Sequence, residues 1–141
     1  MPLARTFFLS LFLLLFFSPV LPPLVAQDSL EWQTLQTELE TATQAYSYGD
    51  FDSSIPIFER YMQAALERRA HSSYLEALIY RAHAFAYTNE PQKGYELLEK
   101  GRAYQAKQLA DATDWPIKLG YMEGQIAPLV GDHLRGLAAL T

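Results

Sequence analysis

The chain has 141 residues, no Cys and a formal net charge of −5. The missing thiols exclude a disulfide framework and a cysteine-ligated zinc site. The acidic balance argues against nucleic acid as a partner, because phosphate backbones attract basic stripes.

Residues 1–26 carry a single charge, Arg5, and no acid. Phe7–Phe17 is apolar except for Ser10, and Ser18 and Pro19 follow. A basic start, a short apolar core and a helix-breaking region ending near Ala26 predict a secretory signal peptide over 1–26. The expected location is therefore exported, periplasmic or secreted. The alternative is an uncleaved signal anchor, which would be the only membrane contact. Pro19, Pro22 and Pro23 interrupt the apolar stretch, which is shorter than the roughly 20 residues that span a bilayer. The remaining 115 residues, 27–141, hold ten Lys/Arg against sixteen Asp/Glu. That length supports one domain with a core of its own.

Asp28-Ser29-Leu30-Glu31 reads as a capping box opening a helix over 29–48. Trp32, Leu35, Leu39, Ala42 and Tyr46 recur at the spacing of one helical face. Gly49 suits the left-handed conformation that ends helices, and Asp50 or Asp52 can cap the next one. Pro56 is expected in that second helix's first turn. Ile55, Phe58, Tyr61, Met62 and Ala65 form its buried stripe, and its end is expected near Ala70.

His71-Ser72-Ser73 opens a third helix with a serine as N-cap. Leu75, Leu78, Ile79, Ala82, Phe85 and Ala86, with Ala77, Tyr80, Ala84 and Tyr87, leave it apolar nearly all round. Such a helix is covered on more than one side. Asn89-Glu90-Pro91 is the next turn, since Asn tolerates positive φ and Pro suits a helix start. Gly94 and Gly101 inside the fourth helix each cost about 1 kcal/mol relative to Ala, which points to close helix approach. Thr113 or Asp114 can cap a fifth helix beginning Trp115-Pro116, which Pro128 kinks or shortens near its end. After Gly131-Asp132, Leu134, Leu137 and Leu140 begin a sixth.

The three turns start at Gly49, Asn89 and Gly131, offsets of 40 and 42 residues. Seven positions before each turn stands Ala42, Ala82 or Gly124; four before stands Ala45, Phe85 or Ala127. Five after stands Ser54, Gly94 or Gly136, and nine after stands Phe58, Leu98 or Leu140. Small residues recur where helices approach and large ones where a hairpin fills its core. The reading is an all-α, right-handed helical-hairpin repeat array of about 2.5–3 repeats, near 35–70, 73–110 and 115–141, the last truncated.

This pattern resembles the tetratricopeptide repeat. Gly49-Asp50-Phe51…Ser54…Phe58 matches its signature well. In the second copy Asn89-Glu90-Pro91 replaces Gly-Asp-aromatic, and the third copy is weak. The family period is 34 residues, so the 40–42 found here implies helices longer by about a turn. The resemblance implies a groove lined by the first helix of each repeat, at Leu39, Thr43 and Tyr46; at Glu76, Ile79, Tyr80, His83 and Tyr87; and at Lys118, Tyr121, Met122 and Gln125. Of these, Thr43, Tyr46, Tyr80, His83, Tyr87, Tyr121 and Gln125 are the candidate partner-binding residues. Tyrosine is enriched in binding surfaces, but it also completes helix packing with its hydroxyl in water. A clamp for a partner's C-terminal carboxylate, known in the family, would find Lys118 and little else.

No pair among His71, His83 and His133 has metal-ligand spacing, and Asp50 and Asp52 read as caps. No nucleophile elbow, phosphate loop or dinucleotide fingerprint occurs. The expected function is a non-catalytic scaffold or adaptor that binds a protein or peptide, without cofactor or metal. The alternative is the N-terminal repeat portion of a larger enzyme, such as a caspase-like peptidase. Repeat arrays need a polar terminal helix; Leu134, Leu137 and Leu140 supply none, which points to further residues or to self-association through the last helix.

Overall fold

The structure, a computed structural model, describes residues 24–139, with side chains from Ser29. The expected signal segment 1–26 lies outside the described residues, apart from Leu24–Ala26 at the start of the first helix. The chain packs as two units, Met1–Glu31 and Trp32–Thr141; the architecture below is that of the second. Among the described residues there are six α-helices, one 3-10 turn and no strand. The helices are α1 Leu24–Ser47, α2 Phe51–Glu67, α3 His71–Tyr87, α4 Pro91–Gln108, α5 Asp114–Ile126 and α6 His133–Ala139. The 3-10 turn, Ala127–Val130, joins α5 to α6. None of the described helices is long and apolar enough to cross a membrane.

The molecule is an all-α helical array packed in sequence-adjacent pairs. Each of α2 to α5 lies against the next helix, and α3 also meets α5. Helix α1 is joined to α2 by Trp32 stacked on Tyr61 at 5.0 Å and by a Glu38–Arg60 ion pair of 2.7 Å. Helices α2, α3 and α4 have 17, 17 and 18 residues, which with three-residue turns accounts for the long repeat.

Three turns follow one hydrogen-bonding scheme. A residue in the left-handed region follows the helix, and the next amide reaches back five residues. Gly49 has φ 83° and Asp50 N–H donates to the Ala45 carbonyl at 3.0 Å. Asn89 has φ 63° and Glu90 N–H donates to Phe85 at 3.1 Å. Gly131 has φ 85° and Asp132 N–H donates to Ala127 at 2.9 Å. A fourth turn of the same kind stands halfway between the first two. Arg69 has φ 56°, and Ala70 N–H donates to Ala65 at 2.8 Å. Left-handed residues thus recur every 20 positions from Gly49 through Arg69 to Asn89. The sequence pattern marks hairpins; the backbone marks single helices.

Several helix ends differ from expectation. Helix α1 runs through Asp28 rather than starting there. It begins directly after Pro23, and nothing from Leu24 to Gln27 breaks a helix. Helix α2 stops at Glu67, because Arg69 takes up the left-handed turn. Helix α3 starts at His71, with Ala70 at its N-cap and no side-chain capping bond, so no serine caps it. Asp50, not Asp52, caps α2: its Oδ1 accepts from Ser53 N–H at 3.3 Å. Phe51 therefore opens α2, and Pro56 falls in its second turn, where its missing amide leaves the Asp52 carbonyl without the usual intrahelical donor. Near Pro128 the α-helix gives way to the 3-10 turn, as a proline at that point requires.

The core follows the repeated positions. Ala42, Ala82 and Gly124 are buried, as are Ser54, Gly94 and Gly136 at the matching places in the second helices. Phe58 and Leu98 are fully enclosed. Small side chains let backbones close up and large ones fill the resulting hairpin. Gly94 is the extreme case: a Cβ there would lie 2.3 Å from the Ala82 carbonyl oxygen.

Candidate functional site

Helices α1, α3 and α5, the first members of the three hairpins, are tied side by side through polar groups. His83 sits at the centre, half-buried in α3. Its Nδ1 lies 2.6 Å from the Tyr46 hydroxyl of α1. Its Nε2 lies 3.1 Å from Gln125 Oε1 of α5. A carbonyl oxygen only accepts, so Nε2 carries the proton and donates to Gln125, while Nδ1 accepts from the tyrosine. The neutral imidazole is thus satisfied on both sides. Burial lowers the His83 pKa, and the Gln125 hydrogen bond opposes that only in part.

Tyr46 is chiefly a packing residue. Its ring meets Phe51, Phe58 and Tyr80 edge-on at 5.3, 6.3 and 5.2 Å. Burial, followed by the neighbouring Tyr80 and Tyr87 hydroxyls, pushes its pKa up to about 12. The phenol therefore remains a hydrogen-bond donor throughout the range in which proteins fold. Tyr80 is shared between core and surface: it stacks on Phe58 at 5.7 Å and also lines a pocket. Tyr87 is exposed, with its ring against Phe51 at 5.4 Å and His83 at 4.6 Å. Thr43 is half-buried; its hydroxyl donates to the Leu39 carbonyl at 2.8 Å. Leu39, Glu40, Thr43, Gln44 and Ser47 line a shallow hollow on α1.

The structure does not bring the seven candidate residues into one site. Tyr46, His83 and Gln125 form the hydrogen-bonded row, with Tyr80 and Tyr87 packed on it. Thr43 belongs to the α1 hollow. Tyr121 belongs, with Tyr80, to a separate pocket between α3 and α5 of about 220 Å³. Ile79, Met122 and Trp115 are the buried members of its lining, and Glu76, Lys118 and Tyr121 are exposed. Of these seven, Trp115 alone is absent from the groove positions expected from the resemblance. In the sequence Trp115 marks only the beginning of a helix, and its place under Lys118 depends on tertiary packing. Lys118 Nζ lies 4.4 Å from the Trp115 ring centre and 3.2 Å from Asp114 Oδ2.

Spacing gives no sign of Glu123, whose carboxylate is buried between the last helices. It accepts from Arg102 of α4 and, at 2.6 Å, from Arg135 Nε of α6. Arg135 also reaches Glu99 at 3.0 Å, and Asp132 accepts from the Tyr95 hydroxyl at 3.2 Å. Two guanidinium partners answer the cost of burying one carboxylate. This cluster docks α6 and stands apart from the pocket.

Among the described residues, no three His, Asp or Glu side chains are grouped to hold a metal ion. No protein-family model, curated protein or solved structure matches the chain.

Proposed function

We propose that this chain is a non-catalytic binding module of the tetratricopeptide type, which takes a peptide or an extended protein segment along the face made by α1, α3 and α5. The observation that carries the reading is the pocket between α3 and α5, with apolar Ile79, Met122 and Trp115 inside and exposed Tyr121 at its edge. Amphipathic rings beside a buried apolar floor are the usual anchors of protein recognition. The row Tyr46–His83–Gln125 supports the reading differently. It fixes three successive first helices relative to one another, so a ligand crossing them meets a prepared surface and less ordering is needed on binding. The small and large residues at matching depths in successive hairpins support the repeat assignment.

The test is selection of random displayed peptides on the full chain, followed by titration of the winners against variants. Tyr121→Ala is expected to weaken the selected peptides at least about tenfold, while Lys100→Ala, on an exposed position of α4, leaves them unchanged. Failure to select any peptide, or loss on the α4 variant instead, would overturn the assignment.

A further inference from the structure

The pocket between α3 and α5 has a size and a charge that narrow what it holds. A dry cavity of about 150 Å³ accommodates benzene, and small-molecule sites begin at about 300 Å³. At about 220 Å³ this pocket fits one long side chain better than a cofactor. Its inner surface is Ile79, Met122 and Trp115, which suits a methylene stem.

Its charge is unequal. Lys118 is already engaged, by Asp114 at 3.2 Å and by the face of Trp115 at 4.4 Å. The Glu76 side chain, on the α3 side, makes no ion pair or hydrogen bond among the described residues. The lining and its Asp114 neighbour therefore carry two acids and one base. An incoming carboxylate would meet a lysine that is already neutralised and a glutamate that repels it. An incoming cation would gain Glu76 and the ring of Tyr121, which is 59% exposed. Cations are attracted electrostatically to the faces of tyrosine rings. Long basic side chains also lay their stems on apolar surface while the head stays near water.

We infer that the pocket takes a basic side chain, arginine or lysine, of the bound peptide, with its stem over Ile79 and Met122 and its cation between Glu76 and Tyr121. This rests on the peptide-binding reading above and names the residue that such a peptide must contribute.

The same displayed-peptide selection on the full chain tests it. The winners are expected to share one arginine or lysine at a fixed position. Replacing that residue with norleucine is expected to weaken binding at least about tenfold. Glu76→Gln in the protein is expected to do the same, and the two changes together to cost little more than either alone. Glu76 is exposed, so circular dichroism and the melting midpoint of Glu76→Gln are expected to match the parent chain. Lys118→Gln, which leaves both acids, is expected to hold the peptide as tightly or more so. A consensus of aromatic or acidic residues without a base, or unchanged affinity in Glu76→Gln, overturns this inference and leaves peptide binding standing. No selected peptide at all overturns both.

Discussion

Gly94 of α4 rests on the carbonyl of Ala82 in α3, so closely that an added methyl would stand 2.3 Å from that oxygen. The obstacle is backbone, which cannot rotate aside. Gly94→Ala is therefore expected to destabilise the protein by about 1–3 kcal/mol, although Ala is the better helix former. Gly101 faces the end of a flexible leucine, Leu78, instead. Gly101→Ala is expected to cost less than Gly94→Ala. Urea midpoints of the two variants check this, and the reverse order would show that α3 and α4 can separate without loss.

The left-handed turns give a pair of opposite expectations. Gly49 has φ 83° and open space around its α-carbon, so only conformation is at stake. Gly49→Val is expected to lose about 1 kcal/mol, since a β-branched residue resists that region. Arg69 already bears such strain at φ 56°. Arg69→Gly is expected to gain up to about 1 kcal/mol. Thermal melts of both measure it; a destabilised Arg69→Gly would contradict the strain argument.

His83 sets a pH dependence of known sign. Burial puts its folded pKa below the unfolded value of about 6.5. Between those values the unfolded chain holds more protons than the folded one, so stability rises with pH there. The His83 share is fully present above pH ~6.5 and declines as pH falls toward the lowered folded value. The useful quantity is the difference between the parent chain and a His83 variant. His83→Gln is expected to flatten the acid-side slope of the urea midpoint between pH 8 and 5. Parallel slopes for the two proteins would remove His83 from the account.

Glu123 tests the docking of α6. Neutralising it leaves Arg102 and Arg135 without their shared anion. Glu123→Gln is expected to cost about 2–3 kcal/mol, within the range for a hydrogen bond to charged groups. Glu99 meets the same Arg135 at 3.0 Å but in the open. Glu99→Gln is expected to cost less than about 1 kcal/mol, as exposed ion pairs do. Equal losses in denaturant titration would mean that the burial of Glu123 is not what matters.

How much of this could be read from residues alone depends on where each signal resides. Gly49, Asn89 and Gly131 announce themselves, because few other residues tolerate positive φ. Arg69 does the same work with a residue that has no such preference, so the halfway turn is invisible before the backbone is seen. Ala70 has no side-chain oxygen, and the neighbouring serines misdirect the cap. The resemblance implies a groove through Ile79, Tyr80, Lys118, Tyr121 and Met122, all of which line one pocket. It could not show that Tyr46 is held inside by Phe51 and Phe58 and by its bond to His83. Nothing in the helical spacing distinguishes Glu123 from an exposed polar position. Its partners are 21 and 12 residues away, beyond any periodic rule.

The 20-residue recurrence of left-handed turns bears on how the chain reaches its structure. Each helix finds its main partner one turn away, so few contacts must wait for distant segments to meet. Folding of such low-contact-order arrays is fast, on the order of microseconds to milliseconds, and can spread from whichever hairpin forms first. Links between alternate helices reach further: the row through His83 spans 42 residues from His83 to Gln125 and 37 back to Tyr46, and Tyr95 to Asp132 spans 37. Such links depend on the intervening helices being in place, so they report on the packing of alternate helices rather than on a single hairpin.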